Sequence, residues 1–130
     1  MSWTERLVET LPYANFIGMR AETEADDLVC VLPFADKIVG NARLPAVHGG
    51  VIGSFLELTA LLTLIHRGER GPIPRTIGFS TDYLRSAGPH ETRGHAEIVK
   101  LGRRIANVRV MAYQQDPSKP VAAGIGKFLL

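Results

Sequence analysis

Apolar and polar positions change their rhythm several times along this 130-residue chain. At the start, WTERLVET (residues 3–10) spaces Trp3, Leu7 and Val8 as one face of a short helix. Leu11-Pro12 ends it, because the residue before a proline avoids helical geometry. In NFIGMRAETEADDLVCVLPF two short apolar runs flank the acidic turn EADD, which predicts a β-hairpin closed by Pro33. ADKIVGNARLPAV (35–47) reads as a loop with turn residues Gly40, Asn41 and Pro45. A nearly unbroken apolar segment from Val51 to Ile65 then predicts one long helix, with stop signals at Gly68, Gly71, Pro72 and Pro74. Everything after Pro74 reads as strand: TIGFSTDYL, TRGHAEIVKLG, RRIANVRVMAYQQ and PVAAGIGKFLL. Their regular spacing predicts an antiparallel meander. The expected fold is α+β, one domain over residues 1–130, with a single long helix packed on one curved sheet.

Composition narrows the class. At 45% hydrophobic and 22% charged residues the chain has the makeup of an ordinary soluble globular domain, long enough to bury a core without staples. A net charge of +2, with no basic block interleaved by aromatics, argues against nucleic acid as a partner. Cys30, the only cysteine, lies in the apolar run LVCVLPF and reads as a small buried hydrophobe. The N-terminal residues include acids and no long apolar core, unlike a signal peptide, and the 51–65 helix is shorter than the ~20 residues that span a bilayer. A cytoplasmic protein with no membrane partner is the expectation. The four histidines have no metal-binding spacing such as HExxH, so no metal is expected.

One residue breaks the apolar pattern. Glu57 stands in the middle of HGGVIGSFLELTALLTLIHRG, and a helix apolar on nearly every side is a buried one. A carboxylate there is costly unless it is paired or hydrogen-bonded. Its helical neighbours three and four residues away are Gly53, Ser54, Ala60 and Leu61. With Gly50 a turn further back, four of these five are small, a strip that a backbone or a ligand can approach closely. Two readings of Glu57 remain open: a structural hydrogen bond to Ser54 or a strand arginine, or chemistry. The glycines after His48 are equally ambiguous. They permit a tight entry turn, and they leave the first N–H groups of the helix open to a carbonyl oxygen, as an oxyanion site requires. His48 can hold that loop by hydrogen bonds.

Distance constrains the chemical reading. Gly49 and Glu57 are eight residues apart on one helix, roughly 12 Å along its axis. A general base must reach a water beside the reacting carbon, so these two groups of one chain cannot serve one small electrophile. If both are catalytic, they belong to different subunits, in two antiparallel helices related by a two-fold axis.

LPAVHGGVIGSFLELTA, with an acid nine residues after its histidine, resembles the HGG-x6-(D/E) motif of the PaaI-like hotdog-fold acyl-CoA thioesterases. TIGFSTDYLRSA and VKLGRRIANVRVMAY followed by PVAAGIGKF resemble the later strands of that family, so the likeness runs from about Val39 to Phe128. The resemblance implies a single hotdog domain, homodimers commonly paired into homotetramers, and hydrolysis of an acyl-CoA thioester, which needs water activation and carbonyl polarisation but no metal or cofactor. It implies Glu57 as general base or nucleophile and the partner subunit's Gly49 N–H as the group that polarises the thioester carbonyl. Asn41 is implied as a second contact, although it lies seven residues before His48 where some relatives have six. Thr76, seven residues before Tyr83, matches a hydroxyl residue that orients the attacking water in some members.

Substrate contacts follow from the chemistry of coenzyme A. Its phosphates suit Lys100, Arg103 and Arg104 around the KLGRR turn, with Arg85 and Lys127 as weaker candidates. The acyl group is expected against the strip of Gly50 and Ser54, with Phe55 and Phe79 nearby. Two alternatives stand beside hydrolysis: an acyl-CoA-binding hotdog protein without turnover, and a hydroxyacyl-CoA dehydratase or hydratase. His-Gly-Gly in place of histidine-x-proline-glycine disfavours the latter. Gly53-Ser54 lacks the second glycine of a nucleophile elbow.

Overall fold

The computed structural model of the chain describes residues 2–41, 43, 45–68 and 73–130. Helix α1 spans Trp3–Thr10, as its periodicity predicts. It opens with a capping box: Ser2 Oγ accepts from the Glu5 N–H, and Glu5 Oε2 accepts from the Ser2 N–H at 2.7 Å. The other Glu5 oxygen accepts from the Thr23 N–H, tying the helix to the sheet.

Pro12 does more than end α1. It is the first residue of a second helix, α2 (Pro12–Ile17), which stops at Gly18 with φ +79°. The fixed φ of proline suits the first helical position and glycine suits the left-handed cap, so Asn15, Phe16 and Ile17, expected to begin the hairpin, are helical instead. The hairpin itself forms from β1 (Arg20–Glu24) and β2 (Asp27–Leu32). Its turn places Ala25 at φ +54°, and His66 Nε2 donates to the Ala25 carbonyl at 2.9 Å. Short strands β3 (Val39–Asn41) and β4 (Ala46–Val47) pair within the segment read as loop.

Helix α3 runs Gly49–Gly68, longer at both ends than the 51–65 expected. It is followed by β5 (Arg75–Tyr83), β6 (Thr92–Leu101), β7 (Ile105–Tyr113) and β8 (Ala122–Leu129). At 20 residues α3 reaches membrane-spanning length and is apolar enough to cross, so length does not distinguish it from a membrane span. Half of its apolar window is buried against the protein's own sheet, and it packs on β2, β5, β6, β7 and β8. That is the place of a central core helix.

The six-stranded antiparallel sheet has the order β1-β2-β6-β7-β8-β5. The expected four-strand meander holds for β6-β7-β8 only. β5 does not pair with the next strand in sequence; the chain crosses over, and β5 closes the far edge beside β8. With β2 taking the place beside β6, both edges of the sheet can fold round one helix. Ile52, Phe55, Leu56 and Leu62 of α3 meet Val108, Val110 and Phe128 of the sheet in the core, each 3% exposed or less. The Thr59 and Thr63 hydroxyls on this face donate back to the Phe55 and Thr59 carbonyls, which satisfies them as donors inside the core. A Cβ on Gly94 of β6 would lie 2.9 Å from both Phe55 and Thr59, so the glycine is what lets the backbone come this close. Cys30 is buried as expected, and burial pushes its thiol up to about 12.

Candidate active site

The helix is not buried all round. Gly50, Val51, Gly53, Ser54, Glu57, Leu58 and Leu61 form a face that the sheet leaves half-buried or exposed. Glu57 therefore lies at the border of core and solvent, not inside the core. Its partner is neither Ser54 nor an arginine. Glu57 Oε2 accepts a hydrogen bond of 3.0 Å from Thr76 Oγ1 on β5.

Thr76 reaches the carboxylate because of an irregularity in β5. Along a regular strand alternate residues share a face. Phe79, Thr81 and Tyr83 lie opposite Gly126, Gly124 and Ala122 of β8, all buried and facing the helix. By alternation Thr76 belongs to the outer set with Gly78, Ser80 and Asp82. The register shifts between Thr76 and Gly78, and Thr76 ends up opposite buried Phe128. This bulge turns its hydroxyl toward the helix.

The glycine turn lies at the other end of β5. His48 precedes α3 and its carbonyl accepts from the Val51 and Ile52 N–H groups. Its ring Nδ1 accepts from the Gly50 N–H at 2.9 Å, so the ring is the Nε2–H tautomer. The His48 N–H donates to the Ile38 carbonyl at 2.7 Å, which fixes the loop as the sequence suggests. Among the described residues no acceptor meets the Gly49 N–H, the first of the helix. Tyr83 donates from its hydroxyl to the Gly49 carbonyl at 2.7 Å. The strip of small residues is thus occupied at this end by a tyrosine ring. A Cβ on Gly53 would lie 3.0 Å from the Tyr83 hydroxyl. Tyr83 was not among the candidates; the small residues at positions 49 and 53, one helical turn apart, were the signal for it.

The remaining candidates divide. Phe55 is fully buried against Gly94, on the side of α3 away from Glu57, and belongs to the core rather than to the open strip. Phe79 is half-buried, its ring laid over Gly124 and Gly126, where any Cβ would come within 2.8 Å of it. Arg85 donates to the Pro120 carbonyl at 2.9 Å and lines a cleft of about 410 Å³ with Gly49, Ile52, Tyr83 and Val121. Lys100, Arg103 and Arg104 line a separate groove with Gly102, Ile105 and Asn107. Ile105 and Arg75 both pair with Leu129, so that groove lies at the Thr76 end of the sheet. The Asn41 side chain lies outside the described residues; its backbone pairs with Ala46.

A central helix wrapped by an antiparallel sheet defines a protein class by its fold. The chain belongs to the thioesterase superfamily, whose model matches residues 44–121. Among solved structures, a protein from Chromobacterium violaceum is 39% identical, covering 96% of this chain and 87% of its own, with a TM-score of 0.78. A phenylacetic acid degradation-related protein from Ralstonia eutropha JMP134 is 22% identical, covers 99% of this chain and 100% of its own, and has a TM-score of 0.82. A Bacillus halodurans protein, solved with CoA, is 21% identical over 96% of this chain and 85% of its own, with a TM-score of 0.81. The latter two likenesses bear on the fold, which is the expected one. No curated protein matches the chain.

Proposed function

We propose that the protein is an acyl-CoA thioesterase working as a homodimer at least, with two sites across its two-fold axis. The observation that carries this reading is the Thr76-held carboxylate of Glu57 on an open helix face. A structural role for Glu57 does not call for an open face beside it; water activation does. In the reaction, Glu57 takes a proton from a water that Thr76 helps to orient, and the water oxygen bonds to the thioester carbon. The Gly49 N–H of the second subunit stabilises the oxyanion. Collapse breaks the carbon–sulfur bond, and the coenzyme A sulfur leaves as thiolate or takes the proton back through Glu57. Direct attack by Glu57, through an anhydride that water then opens, uses the same groups. The CoA in the Bacillus halodurans structure and membership of the thioesterase superfamily support a CoA ester as substrate.

The edge of the sheet supports the shared site. β5 is an edge strand, its residues exposed or half-buried throughout, with Ile77 55% and Tyr83 58% exposed. An unpaired edge of this kind invites a partner strand. Antiparallel pairing of two β5 strands about a two-fold axis sets the Thr76 end of one against the Tyr83 end of the other. That brings Glu57 of one subunit toward the glycine turn of the partner and spans the roughly 12 Å that separate the two groups within a chain. The Lys100, Arg103 and Arg104 groove is the proposed seat of the coenzyme A phosphates.

A panel of aryl-, short- and long-chain acyl-CoAs, screened for thiol release, tests the activity. Glu57→Gln is expected to lower turnover at least about 100-fold, as loss of a general base does. Release from none of the panel would favour acyl-CoA binding without turnover. The shared site is tested by mixing two inactive variants. Gly49→Pro removes the N–H at the first helical position, where proline is tolerated and where an added Cβ makes ordinary contact with Tyr83. Refolded together with Glu57→Gln, it should regain part of the activity, because mixed dimers carry one intact site. A mixture no more active than its parts would place the site within one chain.

A further inference from the structure

We infer that Tyr83 is a positioning residue, locking the Gly49–Gly50 peptide so that the neighbouring Gly49 N–H stays fixed as a carbonyl-polarising donor. The inference rests on the thioesterase reading for its consequence in turnover, but not for its geometry.

The Gly49–Gly50 peptide is held at both of its polar ends by side chains. Tyr83 donates to its carbonyl oxygen at 2.7 Å, and His48 Nδ1 accepts from its N–H at 2.9 Å. Hydrogen bonds in series polarise one another, so each strengthens the other. The next carbonyl back, that of His48, accepts from Val51 and Ile52. Among the described residues, the polar groups flanking the Gly49 N–H are thereby committed, and that N–H stays open. Two consecutive glycines would otherwise make this the loosest backbone of the helix. A misplacement of about 1 Å in such a group is enough to cost on the order of 100-fold in rate.

The tyrosine is itself seated by the fold. It stands at the end of β5 on the helix-facing side, in line with Phe79 and Thr81, and its hydroxyl rests over Gly53. Any side chain at position 53 would press on that hydroxyl, since even a Cβ would lie 3.0 Å from it. Thr81 Oγ1 lies 3.8 Å from the same point, so the tyrosine is the nearer neighbour. β5 thus serves both halves of the proposed chemistry: its bulged start holds the acid through Thr76, and its end holds the donor through Tyr83.

The test separates the hydroxyl from the ring. Tyr83→Phe keeps the packing and removes one hydrogen bond. It should lower kcat roughly tenfold, leave KM within about twofold and speed amide hydrogen exchange at Gly50, with little change in thermal midpoint. Gly53→Ala should lower kcat when Tyr83 is present and add nothing in the Tyr83→Phe background, where the crowded oxygen is gone. Wild-type kcat or unchanged Gly50 exchange in Tyr83→Phe overturns the inference, as does a Gly53→Ala effect that persists without the hydroxyl. The exchange measurement needs no turnover. If the unsubstituted protein cleaves no acyl-CoA but Gly50 exchange still rises in Tyr83→Phe, the peptide lock stands and the thioesterase reading falls. If the unsubstituted protein is active and Glu57→Gln is dead, yet Tyr83→Phe behaves as wild type, the reverse holds.

Discussion

The two faces of α3 are built on opposite principles. The face toward the sheet, with Ile52, Phe55, Leu56, Thr59 and Leu62, is closed, and its hydroxyls are satisfied by the helix's own carbonyls. The face toward β5, with Gly50, Gly53, Ser54 and Glu57, carries little bulk and is held by single hydrogen bonds from Thr76 and Tyr83. Packing stabilises the first in proportion to the area it removes from water. The second contributes little to burial, and its value lies in where a few polar atoms point. One helix can therefore carry both core and site, provided substitutions on the two faces move different observables.

That contrast is open to attack, most strongly at Phe55. Phe55→Ala should cost about 3–5 kcal/mol in chemical denaturation, because the cavity it leaves lies between helix and β6. A loss below ~1 kcal/mol would mean that the closed face is not the stabilising one. Glu57→Gln, two residues along, should do the opposite: the large loss in turnover described above with a thermal midpoint close to wild type. If it instead unfolds the protein, Glu57 is a structural residue. Thr76→Val keeps the shape and β propensity of the strand residue and removes only the hydroxyl. It should lower kcat about tenfold, near 1.4 kcal/mol, with little change in stability. The smallest expected effect lies on neither face. Asp27 and His95 share a hydrogen bond of 2.8 Å, which holds the Asp27 carboxyl below the ordinary carboxylate range. A lowered folded-state value stabilises above the unfolded value and fades as pH falls through the folded one. Asp27→Asn should therefore lower the thermal midpoint slightly near neutral pH, and the difference should vanish in acid. With both side chains largely exposed, solvent screening keeps the effect small. A constant difference down to low pH would show that the hydrogen bond, not the charge, is what counts.

Much of the architecture was legible because it is written locally. The periodicity of WTERLVET, the turn chemistry of EADD and the unbroken apolar run after His48 each specify an element within a few residues. Pro12 was misread because the same residue that stops one helix is well suited to start another. The place of β5 was not legible at all, since strand order depends on which edges meet in space. Its consequences reach the site. Thr76 faces the helix only because of a bulge that no residue type announces, and Phe55 turns inward because the helix has one sheet-facing side.

By itself the sequence determined that an acid would sit on the central helix, eight residues from a glycine whose N–H is free to donate. That follows from the fixed rise of an α-helix and from the lack of intrahelical acceptors for its first N–H groups. Only the tertiary structure decided that Glu57 lies on an open face, that Thr76 holds it, and that Tyr83 holds the glycine turn. These depend on contacts between residues 19 and 34 positions apart, which a chain makes only once its sheet has closed around its helix.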